Sequence, residues 1–320
     1  MQTEIVAGEG AIARAVELLR AGEIVALPTE TVYGLAADAL NADAVAKIFA
    51  AKERPRFNPL IVHLPNRGWL SQIASADDAL MRCLADEFWP GPLTFVLPRQ
   101  KIVPDLVTAG LETVAVRMSA HPICSEIIRV LDRPLAAPSA NRFGRISPTN
   151  AEAVREELDG RVSLIVDGGA TAHGIESTII QTSGDTIDIL RRGPITADAL
   201  SRFGNVRERT SADTITAPGQ LASHYAPRTQ LIAIERLDKF SWPAGKRVGV
   251  MALRFSGPRP ATGATAELSA SGDLGEAATN LFRTLRELDH KQLDLIVAEL
   301  VPEEGIGAAI NDRLRRAAGS

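Results

Sequence analysis

Apolar residues recur at helical spacing from Ala11 to Arg20, and AGEIVALPT then supplies a turn and a short buried strand ending at Pro28 and Thr29. ADAVAKIFAAKE predicts a second helix that stops before Arg54-Pro55. PLIVHL predicts a strand, because a β-branched run follows the proline at once. ADDALMRCLADEFWPG predicts a helix stopped by Pro90 and Gly91, PLTFVLP a strand, and TVAVRMSAHP a strand opening into a turn. ICSEIIRVLD predicts a helix and PLAAPSAN a buried strand that ends in small polar residues. SPTNAEAVREEL sets Pro148 ahead of a helix, VSLIVDGG is a strand ending in glycines, and ESTIIQT with TIDILRRG reads as paired strands. This alternation predicts an α/β domain over residues 1–204.

From Asn205 to Arg228 neither periodicity persists, and proline, glycine, serine and threonine accumulate. A linker of that length is unusual unless it lies over a site. Beyond it, KRVGVMALRF and DLIVAEL predict strands, while GDLGEAATNLFRTLRELDHKQ and IGAAINDRLRRAAG predict amphipathic helices. These make a smaller α/β domain over residues 229–320, in which SGPRPATGATAELSASGD reads as an exposed loop.

With 320 residues and 45% hydrophobic content the chain has ample material for a core, and at 4% aromatics that core must be aliphatic. A net charge of -4 argues against non-specific coating of nucleic acid, so any anion site must be local. The two cysteines, Cys83 and Cys124, lie far apart without histidines at metal-ligand spacing, which points to free thiols. The first residues lack a basic flank, an apolar run and a cleavage site, and no segment approaches the roughly 20 apolar residues that cross a bilayer. A cytoplasmic protein is expected.

Polar side chains gather at predicted strand ends, where α/β domains place their sites. LPTETVYGLAADA sets Thr29, Glu30, Thr31 and Tyr33 after an apolar strand, either as helix-capping groups or as ligand contacts. KERPRFNPLIVH carries Lys52, Arg54, Arg56, Asn58 and His63, with prolines that stiffen the presentation of its cations. Arg117 lies between apolar neighbours in a strand and needs an anion. Asp38, Glu176, another protein carboxylate or a substrate carboxylate could serve. APSANRFGRISPT offers Ser139, Asn141, Arg142, Arg145 and Ser147 ahead of a helix, and GIESTII with LRRG adds Glu176, Ser177, Arg191 and Arg192. Neither a P-loop, a GxGxxG run after the first strand, GxSxG nor HExxH occurs. Hydroxyls, one buried arginine and peripheral cations suit a substrate with a carboxylate at one end and phosphates at the other, and adenylate formation fits that site.

Taken in order, LPTETVYGLAADA, KERPRFNPLIVH, FWPGPLTFVL, TVAVRMSAHP, PLAAPSANRFGRISPT, GIESTII, ILRRGPIT and SHYAP resemble the threonylcarbamoyl-AMP synthase family in its longer, two-domain form. The resemblance implies a twisted mixed sheet with surrounding helices around a deep basic cavity, and a smaller carboxy-terminal Rossmann-like α/β domain. It implies an enzyme that joins L-threonine, bicarbonate and ATP into threonylcarbamoyladenylate and pyrophosphate. The product then passes to a transferase complex that modifies adenosine 37 of tRNA.

Carried onto this chain, the resemblance assigns Thr31, His63, Arg117, Ala137 and Ser177 to L-threonine. It assigns Lys52, Arg54, Asn58, Thr113, Ser139, Ser147 and Arg191 to ATP, with His224 and Tyr225 of the linker closing the nucleotide side. It implies no side-chain nucleophile and no protein metal ligand, with Mg2+ riding on the ATP phosphates. It also implies a monomer or weak dimer without stable nucleic-acid binding. Gln220 departs from the methionine frequent in the family. An RNA-binding module and a carbamoyl-adenylate-forming carbamoyltransferase are the alternatives. The acidic net charge and the lack of aromatic stacking motifs count against the first, and only five histidines against the second.

Overall fold

The computed structural model describes residues 2–75, 78–209, 224–255 and 263–319. They form two units. The first takes the described residues up to Phe143, Pro148–Ala172, and those from Glu176 to Arg209. The second takes Gly144–Ser147, His173–Ile175 and the described residues from His224 onward.

The first unit is built on β1 (Glu4–Ala7), β2 (Val25–Leu27), β3 (Gly34–Asp38), β4 (Ile61–His63), β5 (Leu93–Pro98), β6 (Thr113–Arg117), β7 (Leu135–Ala136), β8 (Leu164–Asp167), β9 (Thr178–Ser183), β10 (Thr186–Arg191) and β11 (Asn205–Glu208). They form one mixed sheet in the order β1-β8-β2-β3-β7-β4-β6-β5-β9-β10-β11. Its first half is apolar on both faces, because alternate residues point to opposite sides. Val25, Leu27, Ala36, Leu135, Leu164 and Val166 pack with helices Glu9–Arg20 and Pro122–Leu131. Ala26, Leu35, Ala37, Val62, Val116 and Phe95 join the larger core on the other face, with residues of helices Ala42–Lys52 and Ala79–Phe88.

Local chemistry fixes the segments that lead into the site. Asn41 caps helix Ala42–Lys52 by accepting from the Asp43 and Ala44 amides, and Glu53 at φ 54° ends it ahead of Arg54-Pro55. Lys52, on the last turn, is thereby delivered to the start of the basic connection.

In the second unit β12 (Leu231–Ile234), β13 (Val248–Ala252), β14 (Ala264–Glu267) and β15 (Leu295–Glu299) make an all-parallel sheet in the order β12-β15-β13-β14. Helices Leu274–Asp289 and Gly307–Ala317 complete it. Two short loops from earlier in the chain belong to this unit. Gly144 O accepts from the Ala226 amide at 2.8 Å and Ile146 O from Arg286 Nη2 at 3.0 Å. Gly174, at φ +69°, fits against helix Leu274–Asp289 so closely that a Cβ would lie 2.5 Å from Ala278 O.

The pattern gives no strand for β1, β3 or β12, and two further segments differ from the sequence expectation. Asn205–Glu208, expected to open the linker, extends the first sheet as β11, parallel to β10. Ala264–Glu267, expected to be loop, is β14. Both are edge strands, which bond on one side only and so need no apolar alternation to pair. The remainder of the expected linker, residues 210–223 with Gln220 and Ser223, lies outside the described residues, as do 256–262. No helix among the described residues is long and apolar enough to cross a membrane.

Candidate active site

Strand register carries one sheet face from the helix-covered core into a polar region. Leu135, on the face under helix Pro122–Leu131, pairs with His63; His63 pairs with Arg117; Arg117 with Thr94; Thr94 with Ile179; and Ile179 with Arg191. Directly paired residues share a face, so these form a single row across five strands beyond Leu135. The next row on that face is Ile61, Ala115 and Val96. These three, with Ile179 and Leu190, form a small apolar cluster distinct from both large cores. Thr113 opposite Pro98 forms a third row. By strand rise it stands about 13 Å from Arg117.

Arg191 reaches this face through an irregularity. Leu190 joins the apolar cluster by ordinary alternation with Ile189 of the main core, and the register shift between Ile189 and Arg191 sets Arg191 opposite Ile179, on the same face as Leu190. A bulge of this kind re-aims a side chain. Arg191 then donates from Nη2 to Ser177 O (2.9 Å) and Ser177 Oγ (3.0 Å), and Ser177 Oγ lies 2.8 Å from Thr94 Oγ1. Two residues on, Gly193 lies so close to the 176–178 backbone that a Cβ would come within 2.4 Å of Thr178 N.

The row's centre is charged and buried. Arg117 Nη2 lies 2.6 Å from Glu30 Oε1, and Nη1 donates to Thr31 Oγ1 at 3.1 Å. Ser119 Oγ donates to the other Glu30 oxygen at 2.5 Å. Thr31 is itself held by Thr29, whose Oγ1 is 2.9 Å away. Burial raises the Glu30 pKa, but the Arg117 charge and the Ser119 hydrogen bond outweigh it and hold the group at about 2. Burial, reinforced by the Arg117 charge, lowers His63 to about 3, against a smaller opposing pull from Glu30. The imidazole is therefore neutral.

Several buried polar atoms here make no hydrogen bond: Arg117 Nε and Nη2, Glu30 Oε1, His63 Nδ1 and both amide atoms of Asn58. Of these, Arg117 Nη2 and Glu30 Oε1 face each other as an ion pair, while the others have no hydrogen-bond partner among the described residues.

The basic connection divides its work. Arg54 donates to the Asn58 and Pro59 carbonyls at 3.3 and 2.9 Å, bracing the turn into β4. Lys52, expected to face phosphates, is 1% exposed and donates instead to the Ser139 carbonyl at 2.5 Å and to the Asn141 carbonyl. Burial and the Arg54 charge push its pKa well down. Here the ammonium braces the 139–141 loop, donating to two of its carbonyls, rather than lying open to a ligand.

The structure thus gathers Thr31, His63, Arg117, Ser177 and Arg191 around one row. Ala137 joins its β4 border, its amide donating to Ile61 O at 2.9 Å. Ser139 bridges to Gly34. Thr113 stands at the far end of β6. Ser147, His224 and Tyr225 belong to the second unit, where Tyr225 packs on Phe282 with Arg313 over its ring. Arg117's carboxylate partner is Glu30, while Asp38 pairs with Arg133 at 2.6 Å. Thr94 and Ser119 were missed as site residues. A hydroxyl on the inward phase of an apolar strand was the available signal for Thr94, and nothing local marked Ser119.

Two family models match in succession: one described as Telomere recombination (Sua5/YciO/YrdC) over residues 17–193, and one described as Threonylcarbamoyl-AMP synthase, C-terminal domain, over 195–319. A threonylcarbamoyl-AMP synthase of Pyrococcus abyssi is 42% identical over 94% of this chain and 92% of its own. The chain belongs to the threonylcarbamoyl-AMP synthase family. Its member from Bacillus subtilis is 40% identical over 99% of this chain and 95% of its own. Among solved structures, P. abyssi Sua5 complexed with L-threonine superposes with a TM-score of 0.91 at 40% identity, covering 99% of this chain and 98% of that one.

Proposed function

We propose that this protein is an L-threonylcarbamoyladenylate synthase. It converts L-threonine, bicarbonate and ATP into threonylcarbamoyladenylate and pyrophosphate, for the threonylcarbamoyl modification of tRNA at position 37. The observation that carries this reading is the striped sheet face: a charged row at His63, Arg117 and Thr94, an apolar row at Ile61, Ala115 and Val96, and a polar end at Thr113. Its two polar ends suit a ligand pair with an amino acid at one end and a nucleotide at the other.

At the amino-acid end Arg117 takes the threonine carboxylate, with Thr31, neutral His63, Ala137 and Ser177 around the rest of the molecule. The unprotonated amine attacks the bicarbonate carbon and water leaves, giving a carbamate whose carboxylate attacks the α-phosphorus as pyrophosphate leaves. Asn58, with its open amide, and Ser139 lie toward the nucleotide, with Arg54 and Lys52 stiffening the backbone that presents them. Thr113 and Arg191 complete the nucleotide's proposed surroundings in the first unit. Catalysis then comes from alignment and fixed charge in a dry site rather than from a side-chain nucleophile. Excluding water also protects the labile carbamate.

Magnesium, bound to the ATP phosphates, would neutralise charge on the leaving group. In this proposal ATP itself supplies the ligands of the ion. We further place the protein in the cytoplasm, as a monomer or weak dimer that hands its product to a transferase complex. The test is mass-resolved product detection with ATP, magnesium and bicarbonate, with and without L-threonine. Threonine-dependent adenylate with matching pyrophosphate supports the proposal, and its absence from folded protein removes it.

A further inference from the structure

Glu30 is 7% exposed and its two oxygens have different surroundings. Oε2 accepts from Ser119 Oγ at 2.5 Å and is fixed by it. Oε1 faces Arg117 Nη2 at 2.6 Å and has no other partner among the described residues, so a lone pair of that oxygen stays open. His63, Arg117's neighbour in the strand pairing, has an unpartnered Nδ1. A pocket built only to take a carboxylate would gain from a lone arginine. A buried carboxylate placed against that arginine works against an incoming anion by like-charge repulsion and competition for the same donors.

The combination of one buried cation, one buried anion and a neutral imidazole complements a ligand that carries both charges. An α-amino acid is such a ligand, its carboxylate and ammonium separated by a single carbon. We propose that Glu30 is a specificity-determining residue that receives the α-nitrogen of the amino-acid substrate through Oε1, while Arg117 receives its carboxylate. This inference rests on the threonine site proposed above. Its role is recognition: the site accepts the zwitterion and rejects a hydroxy acid of the same shape. Ser119 acts as a positioning residue, since its hydroxyl keeps Oε2 occupied and leaves Oε1 to the ligand.

The test compares L-threonine with 3-hydroxybutyrate, which keeps the carboxylate and β-hydroxyl but lacks the α-nitrogen, by calorimetric titration of the full chain. Wild-type protein should prefer threonine. Glu30→Gln should weaken threonine by about tenfold or more, the scale of a lost hydrogen bond to a charged group. The same change should leave 3-hydroxybutyrate unchanged or bound more tightly, because Arg117 loses its competing anion. Ser119→Ala should shift the two ligands in the same directions by about threefold, and serves as the test if circular dichroism shows that Glu30→Gln does not fold. Equal weakening of both ligands overturns the inference, for then Glu30 merely orients Arg117. Failure of the wild type to bind threonine instead removes the site assignment on which the inference rests.

Discussion

Arg117 has 3% of its surface exposed, with Glu30 as its carboxylate partner and Thr31 as a hydrogen-bond acceptor. Arg117→Ala should therefore act twice. It leaves the Glu30 charge buried and unpaired, which costs about 3–5 kcal/mol of stability. It also raises the threonine KM by about a hundredfold or more, on the scale of a lost charge-assisted pair. Chemical denaturation reads the first effect and steady-state kinetics the second, and near-normal threonine saturation would remove Arg117 from the site. The neighbouring pKa values set a pH dependence of the same sign. His63 is lowered from 6.5 to about 3, so the unfolded chain binds more protons between those values and stability falls as pH drops through that window. Glu30, lowered to about 2, adds stability that is complete above its ordinary 4.5 and lost as pH falls through 2. His63→Asn should flatten the slope between pH 6.5 and 4 in a series of thermal melts, and an unchanged slope would place the titration elsewhere.

Among the elements, the connection from helix Ala42–Lys52 into β4 and the β9–β10 hairpin each hold a piece of the site in place. Lys52→Met keeps an unbranched stem but removes the ammonium that donates to the Ser139 and Asn141 carbonyls. The expected result is a loss of about 1–3 kcal/mol, and a raised KM for ATP with a smaller change for threonine. Equal changes for both substrates would show that the brace is not local. Gly193→Ala drives a Cβ into the 176–178 backbone, which carries Ser177. Overpacking of this kind costs about 1–3 kcal/mol, and kcat should fall more than stability at the assay temperature. The hydrophobic pattern predicted most of these elements, because buried strands and amphipathic helices announce themselves by period. It did not predict the β10 bulge, which depends on how two strands meet, nor the edge strands β1, β11, β12 and β14, whose positions relax the demand for apolar residues, nor the inner strand β3, whose small residues Gly34–Asp38 carry little strand signal.

Over the whole molecule the acidic balance coexists with arginines that are already engaged. Arg142 lies 3.5 Å from Glu157, Arg145 lies 3.9 Å from Asp289, and Arg192 pairs with Glu208. Such pairs do not exclude contact with RNA, but they remove the unopposed cluster that favoured it, and weak, strongly salt-sensitive tRNA binding is expected. Filter binding across a salt series would show it. The second unit holds Gly144–Ser147 and His173–Ile175 as part of its own packing. Cutting the chain after Arg209 strips those two loops of their partners, and ATP retention should fall by about tenfold while the first sheet remains folded. Unchanged ATP affinity in a folded truncation would make the second unit dispensable for synthesis.

The sequence by itself determined the α/β class, the division into a larger and a smaller body, and the segments from which the site is drawn. Those features follow from local periodicity, turn chemistry and residue type, which act over a few residues. It also marked Arg117 as needing an anion, since desolvation of a guanidinium follows from its apolar neighbours alone. Tertiary structure decided which anion. Glu30 and Arg117 are distant in the chain and three strands separate β2 from β6, so only the packed loop after β2, reaching the end of β6, brings the two together. The same holds for Lys52, whose apparent availability in the sequence ends when its ammonium meets two carbonyls from a loop far along the chain. Residue types tell which groups need partners. Only the packed chain, by fixing distance and excluding water, settles which partner each one has.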